Sequence, residues 1–291
     1  MEVKLAKTAG FCYGVQRAVD MVTKAACEGR RHIYTYGPIV HNENVIEALR
    51  EKGVDIIDDF DMLRSMLDRG ELEGSTIVIR AHGVPKAVFE LIEKSGLNIE
   101  VIDATCPHVK RIHDIVKEQR DEGDVIAVCG DPEHPEVIGI LGQIEDDAYV
   151  IKTREDAERL ELPEDARLTL VSQTTQSVTK FQDIVDILHK KRYYTNVIDT
   201  ICNATQRRQS EASGLAHECD AMLVIGGSNS SNTRKLYDIC HSECQRTYLI
   251  QSITDIKGTI DHSVRCVGIT AGASTPRSII EEVFEYVRNE F

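Results

Sequence analysis

A chain of 291 residues, 42% of them hydrophobic, is long enough for one large domain or for two to three small ones. Its net charge of −14 argues against a general nucleic-acid-binding protein, which needs a basic surface. No apolar stretch approaches the roughly 18 residues of a membrane span, and the N-terminus MEVKLAKTAG lacks the apolar region of a signal peptide. We therefore expect a cytoplasmic protein with neither a nucleic-acid partner nor a membrane partner.

Short runs rich in Val and Ile alternate along the chain with turn residues and helical patterns. In chain order they include VDII (54–57), TIVI (76–79), DVIAV (124–128) and AMLVI (221–225). Strands of this kind are apolar on both faces, which is typical of parallel sheets covered by helices. The pattern predicts an α/β fold.

Three cysteines each follow a strand-like run and precede a helical pattern. KLAKTAGFC ends at Cys12, VIDATC at Cys106 and VIDTIC at Cys202, at intervals of 94 residues (12 to 106) and 96 residues (106 to 202). The chain has nine cysteines, an odd number, and no secretion signal. Metal binding or catalysis therefore explains an ordered subset of them better than disulfides do.

A second strand-like run follows each of these cysteines and ends 24 or 25 residues after it, at Gly37, Gly130 and Gly226, where a polar turn and a further helical pattern begin. Four residues past these glycines stand His41, His134 and Ser230. A third, less regularly spaced pattern carries His82, Thr174 and Ser274. We therefore predict three α/β repeats, at residues 1–97, 98–193 and 194–291, in preference to one doubly wound sheet whose segments resemble each other by chance.

Three repeats that close around a pseudo-threefold axis would bring the three cysteines together, because functional groups collect beyond the carboxyl ends of parallel strands. A thiol near a helix N-terminus loses its proton readily, and the thiolate binds metal. Three thiolates fit either zinc with an exogenous fourth ligand or a [4Fe–4S] cluster with one iron left for substrate. The remaining cysteines are interpreted as non-ligands: Cys27, Cys129, Cys219, Cys240, Cys244 and Cys266.

Polar residues at equivalent places in the repeats favour a small anionic substrate over a structural zinc site. GGSNSSN (226–232) is a run of hydrogen-bond donors at a predicted helix start, and GAS (272–274) resembles it. Glu136 follows His134 by two residues and is a candidate proton carrier, with Thr174 as a candidate relay.

Nine stretches, taken in order, form a specific pattern that runs from residue 10 to residue 276: GFCYGVQRAV, YGPIVHN, IRAHGV, DATCPHV, HPEVIGILGQ, SQTTQSV, DTICNATQRRQ, GGSNSSNT and TAGASTP. This pattern resembles the IspH (LytB) family of 4-hydroxy-3-methylbut-2-enyl diphosphate reductases. The resemblance implies three α/β domains, with parallel sheets flanked by helices, in a cloverleaf around a central iron–sulfur site. It also implies the last step of the methylerythritol phosphate pathway to isoprenoids.

By this resemblance the reaction is the reductive dehydroxylation of (E)-4-hydroxy-3-methylbut-2-enyl diphosphate to isopentenyl diphosphate and dimethylallyl diphosphate. Cys12, Cys106 and Cys202 would hold a [4Fe–4S] cluster. Glu136, with Thr174, would deliver the proton that lets the hydroxyl leave as water. The diphosphate would bind among His41, His82, His134, Thr174, Ser230, Ser231, Asn232 and Ser274.

Two other functions stay open. The same thiols suit a zinc-dependent hydrolase or lyase, and an iron–sulfur centre without enzymatic activity suits a sensor. A reductase would need an electron donor such as a ferredoxin or flavodoxin, whose acidic surface requires a local basic patch. Candidates for this patch are Arg207–Arg208 and Lys190–Arg192.

Overall fold

The computed structural model of the chain describes residues 1–30, 32–144, 148–163, 165–256, 260 and 263–290. Within these ranges the strands are β1 Glu2–Leu5, β2 Ile33–Tyr36, β3 Val54–Ile57, β4 Thr76–Ile79, β5 Glu100–Asp103, β6 Val125–Cys129, β7 Tyr149–Ile151, β8 Arg167–Ser172, β9 Tyr194–Val197, β10 Ala221–Ile225, β11 Thr247–Ile250 and β12 Cys266–Ala271.

The helices are α1 Tyr13–Cys27, α2 Glu43–Arg50, α3 Phe60–Asp68, α4 Lys86–Lys94, α5 Pro107–Asp121, α6 Pro135–Leu141, α7 Arg154–Arg159, α8 Val178–Lys190, α9 Asn203–Glu218, α10 Ser231–Glu243 and α11 Arg277–Glu290. A short 3-10 helix spans Ile253–Asp255. The alternation of strands and helices confirms the predicted α/β class.

The described strands form three four-stranded sheets with one topology. The strand orders are β3-β2-β4-β5 in the first sheet, β7-β6-β8-β9 in the second and β11-β10-β12-β1 in the third, and every pairing is parallel. The prediction of three parallel-sheet α/β repeats flanked by helices is therefore confirmed.

The strand before each predicted ligand cysteine lies at the edge of a sheet, and the sequence-based repeats place it differently. The boundaries 1–97, 98–193 and 194–291 make β1, β5 and β9 the first strands of their repeats. In the structure each of these strands lies at the edge of a sheet whose other three strands belong to a different repeat. The physical reason lies in their exposed, polar sequences EVKL, EVID and YTNV, which suit an edge. The boundaries themselves stay a prediction.

Each of the second and third sheets is covered by apolar side chains on both faces. Along β10, Ala221, Leu223 and Ile225 belong to one apolar cluster, and Met222 and Val224 belong to the other. This alternation follows from the two-residue period of a strand, and burial on both faces explains why the central strands are continuous apolar runs.

The chain divides into two compact units. Unit 1 comprises Met1–Gln16, Val40–Glu47 and Cys202–Phe291 and contains the third sheet. Unit 2 comprises Arg17–Ile39 and Ala48–Ile201 and contains the first and second sheets. In the described ranges no helix is both long enough and apolar enough to cross a membrane. The cloverleaf arrangement of the three sheets stays a prediction.

Candidate functional site

The three predicted ligand cysteines occupy equivalent places at helix starts. The carbonyl of each accepts the first helical hydrogen bond, from the residue four positions on: Cys12 from Gln16 at 2.9 Å, Cys106 from Lys110 at 2.9 Å and Cys202 from Gln206 at 3.0 Å. All three are half-buried, reduced cysteines. The thiols of Cys106 and Cys202 do not cap their own helices, and each lies beside a positive helix N-terminus, which favours the thiolate.

An Asx turn explains why the sequences VIDATC and VIDTIC recur. Asp103 accepts the backbone N–H of Thr105 through Oδ1 at 3.0 Å, and Asp199 accepts that of Ile201 at 2.9 Å. In both turns the aspartate stands three residues before the cysteine and orders the backbone that leads into it. The position three residues before Cys12 holds Ala9, which has no such side chain.

Five of the other six cysteines lie in the apolar interior or against another sulfur. Cys129 closes β6 and is fully buried, and Cys266 opens β12 with its Sγ 3.2 Å from that of Cys219. Burial raises the pKa of Cys240 to about 12, and burial followed by the Cys266 contact raises that of Cys219 to about 12. Thiols of such high pKa stay protonated at neutral pH. Their interpretation as non-ligands stays a prediction.

In unit 2 the structure brings together four of the predicted site residues. The rings of His82 and His134 meet edge to face, with centroids 5.4 Å apart. His134 caps α6, where its Nδ1 accepts the N–H of Glu136 at 3.1 Å. The carboxylate of Glu136 accepts two hydrogen bonds from Thr174, its backbone N–H to Oε1 at 2.6 Å and its hydroxyl to Oε2 at 2.8 Å. Glu136 is only 1% exposed, so Thr174 holds a buried carboxylate.

Gly139 on α6 and Gly142 directly after its end allow this helix to pack against the loop that carries His82. A Cβ on Gly139 would lie 3.3 Å from the backbone of Gly83, and one at Gly142 would overlap Pro85. Gln143 then donates through Nε2 to the carbonyl of Val84 at 2.8 Å. The sequence HPEVIGILGQ therefore encodes close packing as well as the predicted His134 and Glu136, and Gln143 was not among the predicted site residues.

His113 of α5 packs against the other side of the same loop. Gly83 has a positive φ of 72°, and a Cβ there would lie 2.7 Å from Cε1 of His113. The imidazole is 8% exposed, and its Nε2 has no hydrogen-bond partner in the described part of the chain. Burial lowers the pKa of His113 to about 4; the charges of Lys117 and Lys110 also lower it, and those of Asp114 and Asp103 oppose them.

In unit 1 a second group of predicted residues lies at the start of α10. Ser230 caps this helix by accepting the N–H of Thr233, and Asn232 is buried with its Nδ2 unpaired within the described chain. The hydroxyl of Ser274 donates to the carbonyl of His41 at 3.2 Å. An unsatisfied buried donor beside a 13-residue helix N-terminus suits an oxyanion. Ser231 is the first residue of the helix.

Thr233 joins the two polar loops of unit 1, and sequence reasoning did not select it. A Cβ on Gly226, whose φ is 151°, would lie 2.6 Å from the Thr233 hydroxyl, and one on Gly272 would overlap it. The threonine is fully buried, so it sets the approach of the loops GGSNSSN and GAS to each other. The glycines of GGSNSSNT and TAGASTP are the feature of the sequence that indicates this close approach.

Arg208 lies inside unit 1, contrary to the expectation of a basic surface patch at Arg207–Arg208. It is 3% exposed and donates through Nη1 to the carbonyl of Ala271 at 2.6 Å. Burial lowers the pKa of its guanidinium, and among the electrostatic interactions that raise this pKa the largest is with Cys12. The expectation was wrong because adjacent residues of a helix point in different directions, and Arg207 alone is exposed.

Comparisons with known proteins agree along the whole chain. A family model described as LytB protein matches residues 3–288. The chain is 41% identical over 290 residues to a protein of Caldanaerobacter subterraneus subsp. tengcongensis named 4-hydroxy-3-methylbut-2-enyl diphosphate reductase, covering 99% of this chain and 97% of that protein. A protein of Geobacter sulfurreducens with the same name is 40% identical over 288 residues, covering 99% and 97%.

Two solved structures have a similar fold. The E-1-hydroxy-2-methyl-but-2-enyl-4-diphosphate reductase from Plasmodium falciparum superposes with a TM-score of 0.91 at 29% identity, covering 99% of this chain and 88% of that one. A structure described as (E)-4-hydroxy-3-methyl-but-2-enyl diphosphate reductase, the terminal enzyme of the non-mevalonate pathway, gives a TM-score of 0.68 at 38% identity, covering 99% of each chain.

Proposed function

Since this chain belongs to the LytB protein family, we propose that it is a 4-hydroxy-3-methylbut-2-enyl diphosphate reductase. It would remove the hydroxyl of (E)-4-hydroxy-3-methylbut-2-enyl diphosphate and release isopentenyl diphosphate, dimethylallyl diphosphate and water, at the end of the methylerythritol phosphate pathway. Two electrons and two protons balance the reaction. The observation that carries the proposal is the family match from residue 3 to residue 288, which includes every predicted site residue.

Cys12, Cys106 and Cys202 would hold a [4Fe–4S] cluster. Their equivalent positions at three helix N-termini support this assignment, because each helix favours the thiolate that iron requires. Three protein ligands leave one iron without a thiolate. When bound, the cluster would supply electrons one at a time and polarise the substrate hydroxyl.

Each unit has a group of residues that would bind phosphate oxygens. In unit 1, Ser230, Asn232 and Ser274 lie beside the N-terminus of α10, whose positive end favours phosphate oxygens. In unit 2, His82 and His134 form a pair of ring donors. Because Nδ1 of His134 accepts the N–H of Glu136, the ring is left to donate to a phosphate oxygen through Nε2.

Glu136 would provide the proton on which departure of the hydroxyl depends. It is too deeply buried to be a solvated acid, and its Oε2 is 2.8 Å from the Thr174 hydroxyl. A hydroxyl both accepts and donates, so Thr174 would receive a proton from Glu136 while it passes its own on. A carbon–oxygen bond breaks more easily when the oxygen leaves as water, which is the role of a general acid.

A ferredoxin or flavodoxin would supply the electrons, in the cytoplasm. The burial of Arg208 reduces the candidate basic patches to Arg207 and Lys190–Arg192, and Lys190 and Arg192 are exposed at the end of α8. Both the donor class and the location stay predictions.

The test is anaerobic reconstitution with iron and sulfide, followed by an assay with a chemical reductant and the hydroxylated diphosphate. We expect about four iron and four sulfide per chain and formation of both products. Cys106→Ser should lose the visible absorption and the turnover. Cys27→Ser is the matched control, because Cys27 is an exposed cysteine at the end of α1.

Each other result points to a different function. A colourless protein that retains zinc and releases no product would favour the hydrolase or lyase. A brown protein that neither binds nor reduces the allylic diphosphate would favour a sensor. Full cluster retention in Cys106→Ser would contradict the ligand assignment.

A further inference from the structure

The turn before Cys12 is held by a carboxylate from a distant part of the chain. Glu211 on α9 accepts the backbone N–H of Lys7 through Oε1 at 2.7 Å and that of Thr8 through Oε2 at 2.9 Å. The same Oε2 accepts the Thr8 hydroxyl at 2.5 Å. Burial raises the pKa of Glu211, but these three hydrogen bonds outweigh it and leave the pKa below its usual value. Glu211 therefore stays ionised and holds this segment as an anion.

Glu211 takes the place of the aspartate that orders each of the other two cysteine turns. Asp103 and Asp199 order the turns before Cys106 and Cys202 from within the same turn. The Cys12 turn has no such aspartate, and its segment receives a carboxylate that lies more than two hundred residues away in sequence. A local Asx turn moves with its own cysteine, whereas Glu211 ties Cys12 to another element.

That element is the helix that begins at Cys202. Arg208 and Glu211 are three residues apart on α9, which places them on one face of the helix. Arg208 bonds the carbonyl of Ala271, and two residues further on the carbonyl of Ala273 accepts the N–H of Cys12 at 3.3 Å. One helix thus holds the segment before Cys12 and the segment that bonds Cys12 itself.

We propose that Glu211 and Arg208 are positioning residues that fix the backbone around Cys12 relative to Cys202, so that the two thiols are correctly spaced for one cluster. This inference rests on the proposed function, because it assumes that both cysteines are ligands. All of the residues involved belong to unit 1.

The first test is Glu211→Gln in the reconstituted full chain. A glutamine has one oxygen in place of two, so its amide cannot accept both backbone N–H groups in the geometry of the carboxylate. We expect iron to be released to a ferrous chelator roughly tenfold to a hundredfold faster, as for the loss of a charge-assisted hydrogen bond. Thr8→Val removes only the hydroxyl bond and should give a smaller acceleration of the same kind.

The matched control is Glu218→Gln on the same helix. Glu218 also reaches the N-terminal segment, but its carboxylate bonds the Lys4 ammonium on β1 at 2.9 Å and is 60% exposed. Its loss should leave iron release at the wild-type rate. Circular dichroism of each variant before reconstitution separates a folding defect from a positioning defect, and Thr8→Val continues the test if Glu211→Gln does not fold.

Arg208 gives a readout that a purely structural residue would not change. A buried cation near a cluster stabilises the reduced, more negative form, so Arg208→Gln should make the midpoint potential more negative. Arg208→Lys keeps the charge and should restore the potential in part. Wild-type iron release in both Glu211→Gln and Thr8→Val, with an unchanged potential in Arg208→Gln, would overturn the inference while leaving the proposed function intact. A wild-type chain that assembles no cluster would overturn both.

Discussion

Glu136→Gln should remove the proposed proton donor while keeping the contacts between this side chain and Thr174. In the wild-type chain the Thr174 N–H donates to Oε1 and the Thr174 hydroxyl donates to Oε2. A glutamine fits the same contacts if its oxygen faces the N–H and its NH2 group donates to the hydroxyl oxygen. The variant should therefore fold and assemble the cluster, because both contacts to Thr174 are kept.

The catalytic loss should be large because the amide has no proton to release at neutral pH. Removal of a general acid typically lowers the rate by about 10²–10⁴, which corresponds to roughly 3–5 kcal/mol in the activation barrier. Stability should change much less, since one charge-assisted contact becomes a neutral one, at a cost of about 1 kcal/mol.

The assay measures steady-state turnover under anaerobic conditions, substrate binding by calorimetry and iron content, all on the same preparation. Glu133→Gln is the matched control, because Glu133 is an exposed glutamate just before His134. It should behave as the wild type in every measurement. If Glu136→Gln turned over within a few-fold of wild type with a full cluster, the proton would come from another group and the assigned role of Glu136 would be refuted.

Two further substitutions test the packing around His82. Gly142→Ala places a methyl group where Pro85 lies, so it should displace the loop of His82 and raise the substrate dissociation constant roughly tenfold; Gly214→Ala, at a helical glycine with open space around it, should leave affinity unchanged. Equal affinities for the two variants would contradict the packing argument. Burial lowers the pKa of His113 in the folded chain to about 4, below the ordinary 6.5. Between pH 6.5 and pH 4 the unfolded chain binds a proton that the folded chain does not, so the free energy of unfolding falls as the pH drops through this range. We expect wild type to lose about 3 kcal/mol more than His113→Gln between pH 7 and pH 4 in denaturant titrations, and parallel pH profiles would count against this.

The sequence predicted the kind of each element well because side-chain periodicity determines it locally. Pro107 directly after Cys106 marks a helix start, and α5 begins there. The pairing partners of the strands were less predictable. Periodicity predicts that β5 is a strand, but its polar composition does not predict that β4 is its neighbour in the sheet.

The residues that the sequence analysis missed act at a distance. Glu211 looks like one more surface glutamate on a helix, since its partners Lys7 and Thr8 lie at the other end of the chain. Arg208 was misassigned for a related reason, because a pair of arginines indicates a basic surface until the orientation of the helix is known. Local patterns predict which residues carry the chemistry, and long-range contacts decide which residues hold them in place.

The pairing of β1 with β12 has a consequence for the order of events during synthesis. Glu2 pairs with Cys266, and the N–H of Cys12 donates to the carbonyl of Ala273, so β1 pairs with a strand that is made 264 residues later (2 to 266). A ribosome that adds about 5–20 residues per second needs roughly 13 to 50 seconds to cover that distance. Until then β1 and the segment that leads from it to Cys12 lack the strand β12 with which β1 pairs. Under the proposed assignment of Cys12 as an iron ligand, iron would reach the native geometry of this segment only after translation has passed Ala273.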